Sequence, residues 1–205
     1  MNPEIVHVAV YDTLADWEVG HAIAHIRSEL GQRRPGRYDV RTVGESLEPV
    51  ITVGGMRILP DLLLDEVTPE GSAMLILPGA HIWAEGNQAF GRKAREFLDA
   101  GVPVAAICGA TAGLAREGLL DDRDHTSSAP EFLAATGYAG AGRYRNAPAV
   151  TDGDLITASP TSPVEFAREV LARLGVYEPE VLDAWYRLFG QQDASAFAVL
   201  AASTR

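Results

Sequence analysis

The chain has 205 residues, 47% of them hydrophobic and 22% charged, with one cysteine and a formal net charge of −11. That hydrophobic share excludes a disordered chain, and the length fits one domain over residues 1–205 with a core of its own. With 28 acidic residues against 17 basic ones there is no basic footprint for nucleic acid, and a lone cysteine forms neither an internal disulfide nor a zinc cluster by itself.

Residues 5–10 read as a buried strand. Residues 15–30 follow with Val19, Ala22, Ile23, Ile26 and Leu30 on one side of a helix, stopped by Gly31 and Pro35-Gly36. A second strand covers residues 38–43, and residues 50–53 and 56–59 around Gly54-Gly55 form a small hairpin. Residues 73–77 are an apolar strand ended by Pro78-Gly79, residues 88–100 a charged amphipathic helix closed by Gly101, and residues 102–107 a strand that runs into Cys108. Later, residues 149–157 carry an Asp152-Gly153 hairpin turn. A helix to Leu174 opens on Ser162-Pro163-Val164-Glu165, with the spacing of a capping box. A further amphipathic helix spans residues 178–189, and the alanine-rich tail after Asp193 packs as a last helix or frays. Strand–helix–strand spacing of this kind predicts an α/β fold: a three-layer αβα sandwich around a mostly parallel, flavodoxin-like sheet. Ligands collect outside the carboxyl ends of such strands, which puts residues 13–18, 78–83 and 108–111 at one edge.

Neither a signal peptide nor an apolar run of about 20 residues is visible, so a cytoplasmic protein without membrane contact is expected.

The most informative segment is Ala106-Ile107-Cys108-Gly109-Ala110, where a buried strand passes into helix-forming residues with almost no loop. A nucleophile elbow has this form, and its strained backbone tolerates only small residues two before and two after the nucleophile, here Ala106 and Ala110. The turn aims a sulfur at the sheet edge and sets the Gly109 amide at a helix start, where a thiolate or an oxyanion is favoured. A structural cysteine in a plain βα turn is the competing reading. The Pro78-Gly79 turn offers a second amide for an oxyanion hole, and Glu18 brings a carboxylate to the same edge, able to tune the sulfur or only to compensate a helix dipole.

Together with Gly118-Leu119-Leu120, His125-Thr126-Ser127, Ala149-Val150-Thr151-Asp152 and Leu155-Ile156-Thr157-Ala158-Ser159, the segments around Glu18, Gly79 and Cys108 resemble the ThiJ/PfpI superfamily. This is the cysteine branch of the class I glutamine amidotransferase-like fold. The resemblance runs over roughly residues 4–190 and lies nearest a bacterial subgroup of the intracellular protease/amidase type. It implies Cys108 as the elbow nucleophile, Glu18 as its carboxylate partner, the Gly79 and Gly109 amides as oxyanion donors, and a homodimer. The sequence departs from hydrolytic relatives where a histidine would stand beside the nucleophile, since that place falls at Ser128. No histidine follows residue 125, so the late histidine of a glutaminase triad is also missing. Ala80 and Ser159-Pro160 replace smaller residues common in the family.

Five histidines remain to be placed. His7 reads as a satisfied strand residue, while His81, just after the Pro-Gly turn, and His125 are the candidates to assist Cys108. Glu18, His21 and His25 share a helical spacing that can bind zinc but suits a solvated or dimer-facing surface better, so neither metal nor cofactor is expected. Three functions fit these residues. The first is a cysteine-dependent hydrolase or amidase acting on a small carbonyl or amide compound. The second is a glyoxalase- or deglycase-like activity on reactive aldehydes. The third is a redox-responsive stress protein with an oxidisable Cys108 and no turnover.

Overall fold

Successive side chains of the central strands point to opposite faces, and each face is packed under its own set of helices. In the computed structural model, which describes residues 2–84 and 86–203, the chain runs β1 (Glu4–Ala9), α1 (Gly20–Arg27), β2 (Tyr38–Gly44), β3 (Val50–Ile51), β4 (Arg57–Ile58) and β5 (Leu62–Leu63). It continues through β6 (Ser72–Leu77), α2 (Gln88–Asp99), β7 (Val104–Ile107), α3 (Ala110–Arg116) and α4 (Pro130–Ala134). The last elements are β8 (Ala149–Asp152), β9 (Leu155–Ala158), α5 (Pro163–Leu174), α6 (Pro179–Gly190) and α7 (Phe197–Ser203). Seven strands form one sheet in the order β5-β2-β1-β6-β7-β9-β8, parallel except for the β8–β9 hairpin; β3 and β4 pair separately.

Leu75 and Leu77 of β6 and Val104 and Ala106 of β7 face Phe90, Ala94 and Phe97 of α2 in one core layer. Met74, Ile76, Ala105 and Ile107, from the same strands, face Ile26 of α1, Phe166 and Val170 of α5 and Trp185 of α6 in the other. This mostly parallel sheet with helices on both sides is the architecture expected from the strand–helix alternation.

Three local expectations are corrected. The first helix is half the predicted length: it starts at Gly20 and stops at Arg27, with Glu29 and Gly31 at positive φ and Leu30 exposed. Residues 15–18 form a turn instead, because Ala15 N–H donates to Gly79 O (2.9 Å) and the Asp16 carboxylate accepts from Gly54 N–H (2.6 Å). These contacts tie the turn to the β6 end and to the β3–β4 hairpin. The second correction concerns α5, which begins at Pro163 as expected, but the capping box does not form. Ser162 makes no side-chain cap bond, and Glu165 accepts from Tyr186 Oη (3.2 Å) instead. Thirdly, β5 and α4, two and five residues long, are too short to leave a periodic signal and add elements that no sequence pattern predicts. Among the described residues no helix is long and apolar enough to cross a membrane.

Candidate active site

Cys108 follows β7 directly and takes φ 58°, a left-handed conformation that costs a non-glycine residue about 1–2 kcal/mol. The turn is held by Cys108 N–H donating to Ala158 O (3.0 Å) on β9 and by two bonds to its own carbonyl, from Thr111 N–H (3.2 Å) and Thr111 Oγ1 (2.6 Å). Thr111 Oγ1 also shares a 2.6 Å bond with Ser127 Oγ. The small neighbours are required by close approach: a Cβ on Gly109 would stand 3.0 Å from Ala80 O, and one on Gly113 2.1 Å from the Trp83 ring. Ala106 and Ala110 are both fully buried.

Glu18 is also fully buried, at 0% exposure. It lies in the turn ahead of α1 and is not a dipole-compensating helix residue. Its Oε2 accepts from Gly79 N–H at 2.6 Å, and its Oε1 is buried without a hydrogen-bond partner of regular geometry. Gly79 brings the two functional side chains together. An added Cβ there would sit 2.7 Å from Cys108 Cβ, 2.8 Å from Glu18 Oε2 and 3.0 Å from Cys108 Sγ. The Pro78 carbonyl behind this turn accepts from the Tyr11 hydroxyl and from Trp83 Nε1 (3.0 Å), and Trp83 Nε1 also reaches Tyr11 Oη (3.0 Å). Tyr11 and Trp83 are 67 and 5 residues from Pro78 in the chain, and nothing in the sequence marks them as its partners.

Both acids are held towards their protonated forms. Burial pushes Glu18 up to about 7, against the Gly79 amide and the thiol, which pull it down. Burial, then the Glu18 charge and its hydrogen bonding, push the Cys108 thiol up to about 12, against the Gly109 amide and the Ser128 hydroxyl. A fully buried carboxyl and a half-buried thiol in contact resist ionising together, so the pair retains a shared proton at neutral pH. The Gly109 amide at the helix start pulls the thiol down, as expected, against a larger upward push from desolvation and the neighbouring carboxylate.

The remaining sequence candidates divide. The Gly79 amide is not a spare oxyanion donor here, because Glu18 occupies it. The Gly109 amide addresses the sulfur itself. His125 is fully buried, but its Nδ1 bonds to Arg123 O (2.8 Å) and its Nε2 to Tyr138 Oη (3.1 Å), with Tyr138 and Tyr144 edge-on to the ring. Both ring nitrogens are committed to the loop. His81 is exposed, its backbone N–H donates to Thr13 Oγ1 (3.0 Å), and it forms no hydrogen bond with Cys108 or Glu18. His25 accepts from Trp185 Nε1 (2.9 Å) at Nε2 and pairs with Tyr177 Oη at Nδ1, which makes it a neutral packing residue between α1 and α6. Ser128 addresses the thiol with a hydroxyl that is no base at neutral pH.

A cysteine at positive φ at the carboxyl end of a parallel sheet, beside a buried carboxyl from the first βα turn, defines an α/β protein with a strand–turn–helix elbow. Residues 4–173 match the DJ-1/PfpI family, and the chain belongs to it. It is 40% identical over 201 residues to a Bacillus subtilis protein named "Uncharacterized protease YoaZ", covering 96% of each chain. It is 29% identical over 161 residues to "Protein/nucleic acid deglycase 2" of Escherichia coli, covering 77% of this chain and 84% of that one. A solved ThiJ/PfpI family protein from Bacillus anthracis superposes with a TM-score of 0.92 at 39% identity, covering 100% of this chain and 98% of the other.

Proposed function

We propose that this protein is a cysteine-dependent enzyme of reactive aldehydes, in which Cys108 adds to the carbonyl and Glu18 moves the protons. The carrying observation is the buried Glu18 carboxyl beside the elbow thiol, with Oε1 unpartnered and the pair retaining a proton. The attacking species is the thiolate, so Glu18 draws the thiol proton away as sulfur adds, and that proton is then at hand for the product oxygen. Sulfur bonds to the aldehyde carbon, the C=O π bond breaks, and the thiol proton passes to oxygen, giving a hemithioacetal. With a 2-oxoaldehyde, Glu18 then carries the C1 proton to C2 while the C1 hydroxyl proton passes to the C2 oxygen. The result is an α-hydroxy thioester, reached by isomerisation with no external oxidant. Water cleaves the thioester, releasing a 2-hydroxy acid and restoring the thiol.

Amide hydrolysis fits the same residues less well. It asks for an oxyanion donor and an acid for the leaving amine, and the Gly79 amide and both candidate histidines are engaged elsewhere or make no bond to the pair. The protease and deglycase names of the relatives support a hydrolase or deglycase-like role, and the aldehyde chemistry is the reading of that role favoured here. The test is consumption of 2-oxopropanal and appearance of lactate by wild type, Cys108→Ala and Glu18→Gln, beside release of amine from a chromogenic amide. Consumption abolished in Cys108→Ala is expected. Consumption that survives in that variant, or amide cleavage without aldehyde consumption, would overturn the reading.

A further inference from the structure

Beside the elbow lies a recess of about 250 Å³, smaller than a pocket for a drug-sized ligand, lined in part by Ser128, Tyr144, Asn146, Ser159, Thr161 and Ser162. Eight of its ten lining side chains carry a hydroxyl or an amide, and none carries a charge. Ser128 connects it to the reacting group, because the same hydroxyl addresses the Cys108 thiol. Some of these groups are satisfied internally: Ser159 Oγ pairs with Thr161 Oγ1 (3.2 Å) and Thr126 Oγ1 donates to Ala147 O (2.8 Å).

Ser162 is different. It is 6% exposed and stands at the cap position of α5, where a serine ordinarily bonds the helix amides. Its hydroxyl makes no such bond, and neither it nor the Asn146 amide has a hydrogen-bond partner among the described residues. Within a residue only 6% exposed, the Ser162 hydroxyl opens onto the recess, as does the amide of the exposed Asn146, so both can bond a molecule that sits there. At the rim, Trp17 is 53% exposed and its Nε1 donates to Pro160 O (3.2 Å), which fixes an open indole against the segment carrying Ser159 and Thr161.

We infer that this recess is a subsite for a neutral, polyhydroxylated tail of the substrate, held by Ser162 and Asn146 with its C–H edge against Trp17, while the aldehyde at the other end meets Cys108. The inference rests on the aldehyde reading for the last clause only. Uncharged groups that both donate and accept match hydroxyls, which also do both. A carboxylate or phosphate would meet no cationic side chain in the recess and the field of a chain with net charge −11. A hydrocarbon tail would cut the Ser162 hydroxyl and the Asn146 amide off from water without giving either a partner.

The probe is erythritol, which has four hydroxyls and no carbonyl, so its binding is independent of any addition to Cys108. Saturation-transfer NMR on the full chain is expected to detect binding. Ser162→Ala and Asn146→Ala should each weaken it about fivefold, the cost of one neutral hydrogen bond. Asn146 lies outside any helix or strand, so its variant retains the test if the Ser162 variant folds poorly. Absence of transfer to wild type, or unchanged affinity in both variants, would overturn the subsite. So would equal binding of butan-1-ol, or tighter binding of glycerate. If erythritol binds while 2-oxopropanal is not consumed, the chemistry fails and the subsite stands; the converse result removes the subsite alone.

Discussion

Gly79→Ala is a sharp perturbation of the site, because it adds one methyl group at a point within 3.0 Å of both Cys108 and Glu18. The added carbon would lie 2.7 Å from Cys108 Cβ and 2.8 Å from Glu18 Oε2, both shorter than real Cβ contacts allow. Neither neighbour can yield cheaply: Cys108 is pinned by the elbow bonds to Ala158 and Thr111, and Glu18 by a wholly buried position. Overpacking of this kind costs about 1–3 kcal/mol. Displacing Glu18 also breaks its hydrogen bond with the Gly79 amide, worth about 1.5–3 kcal/mol for a charged acceptor. The combined loss is about 2.5–6 kcal/mol, which for a chain of this size lowers Tm by about 5–24 °C. Circular dichroism melts measure the first effect, and the pH profile of Cys108 alkylation by iodoacetamide, in the folded variant at low temperature, measures the second. A Tm within about 2 °C of wild type, with an unchanged alkylation profile, would refute the account of Gly79 as the contact that sets the pair.

Glu18→Gln should flatten part of the pH dependence of stability. The Glu18 carboxyl is raised from 4.5 to about 7 in the fold, so its contribution is present below pH 4.5 and lost as pH rises through 7, a loss of about 3 kcal/mol. Urea melts at several pH values should show the variant gaining on wild type by about that amount across this window. His7 and His25, lowered to about 4 by burial, act with the opposite sign in both proteins and cancel in the difference. His125→Ala should cost about 2–4 kcal/mol, by opening a cavity and unpairing Arg123 O and Tyr138 Oη, with Cys108-dependent turnover preserved in the folded variant. Lost turnover at unchanged Tm would restore it to the site. Gly113→Ala drives a carbon to 2.1 Å from Trp83 and should lower Tm without altering the alkylation rate per folded molecule, checked by melts and mass spectrometry.

The alternation of β-branched runs with helical periodicity, and the small residues around Cys108, were enough to read the parallel sheet and the elbow from the sequence. Both are local matters: a strand's period and the space for a left-handed φ depend on residues within a few positions. Glu18 could be placed at the right edge but not in the right element, because its turn is held by Gly54 and Gly79, 38 and 61 residues away from the groups they bond. The same holds for His125, whose commitment to Arg123 and Tyr138 has no signature in the sequence, and for the Ser162 hydroxyl, whose cap-like spacing promised a bond the helix does not make. The protonation of the Cys108–Glu18 pair was decided by burial, which is a property of everything packed around it. The sequence determined which groups this protein has for chemistry and on which edge they stand. Which of them meet, which amides are already used, and where the protons rest were decided by tertiary contacts, because desolvation and long-range hydrogen bonds exist only once the layers have closed.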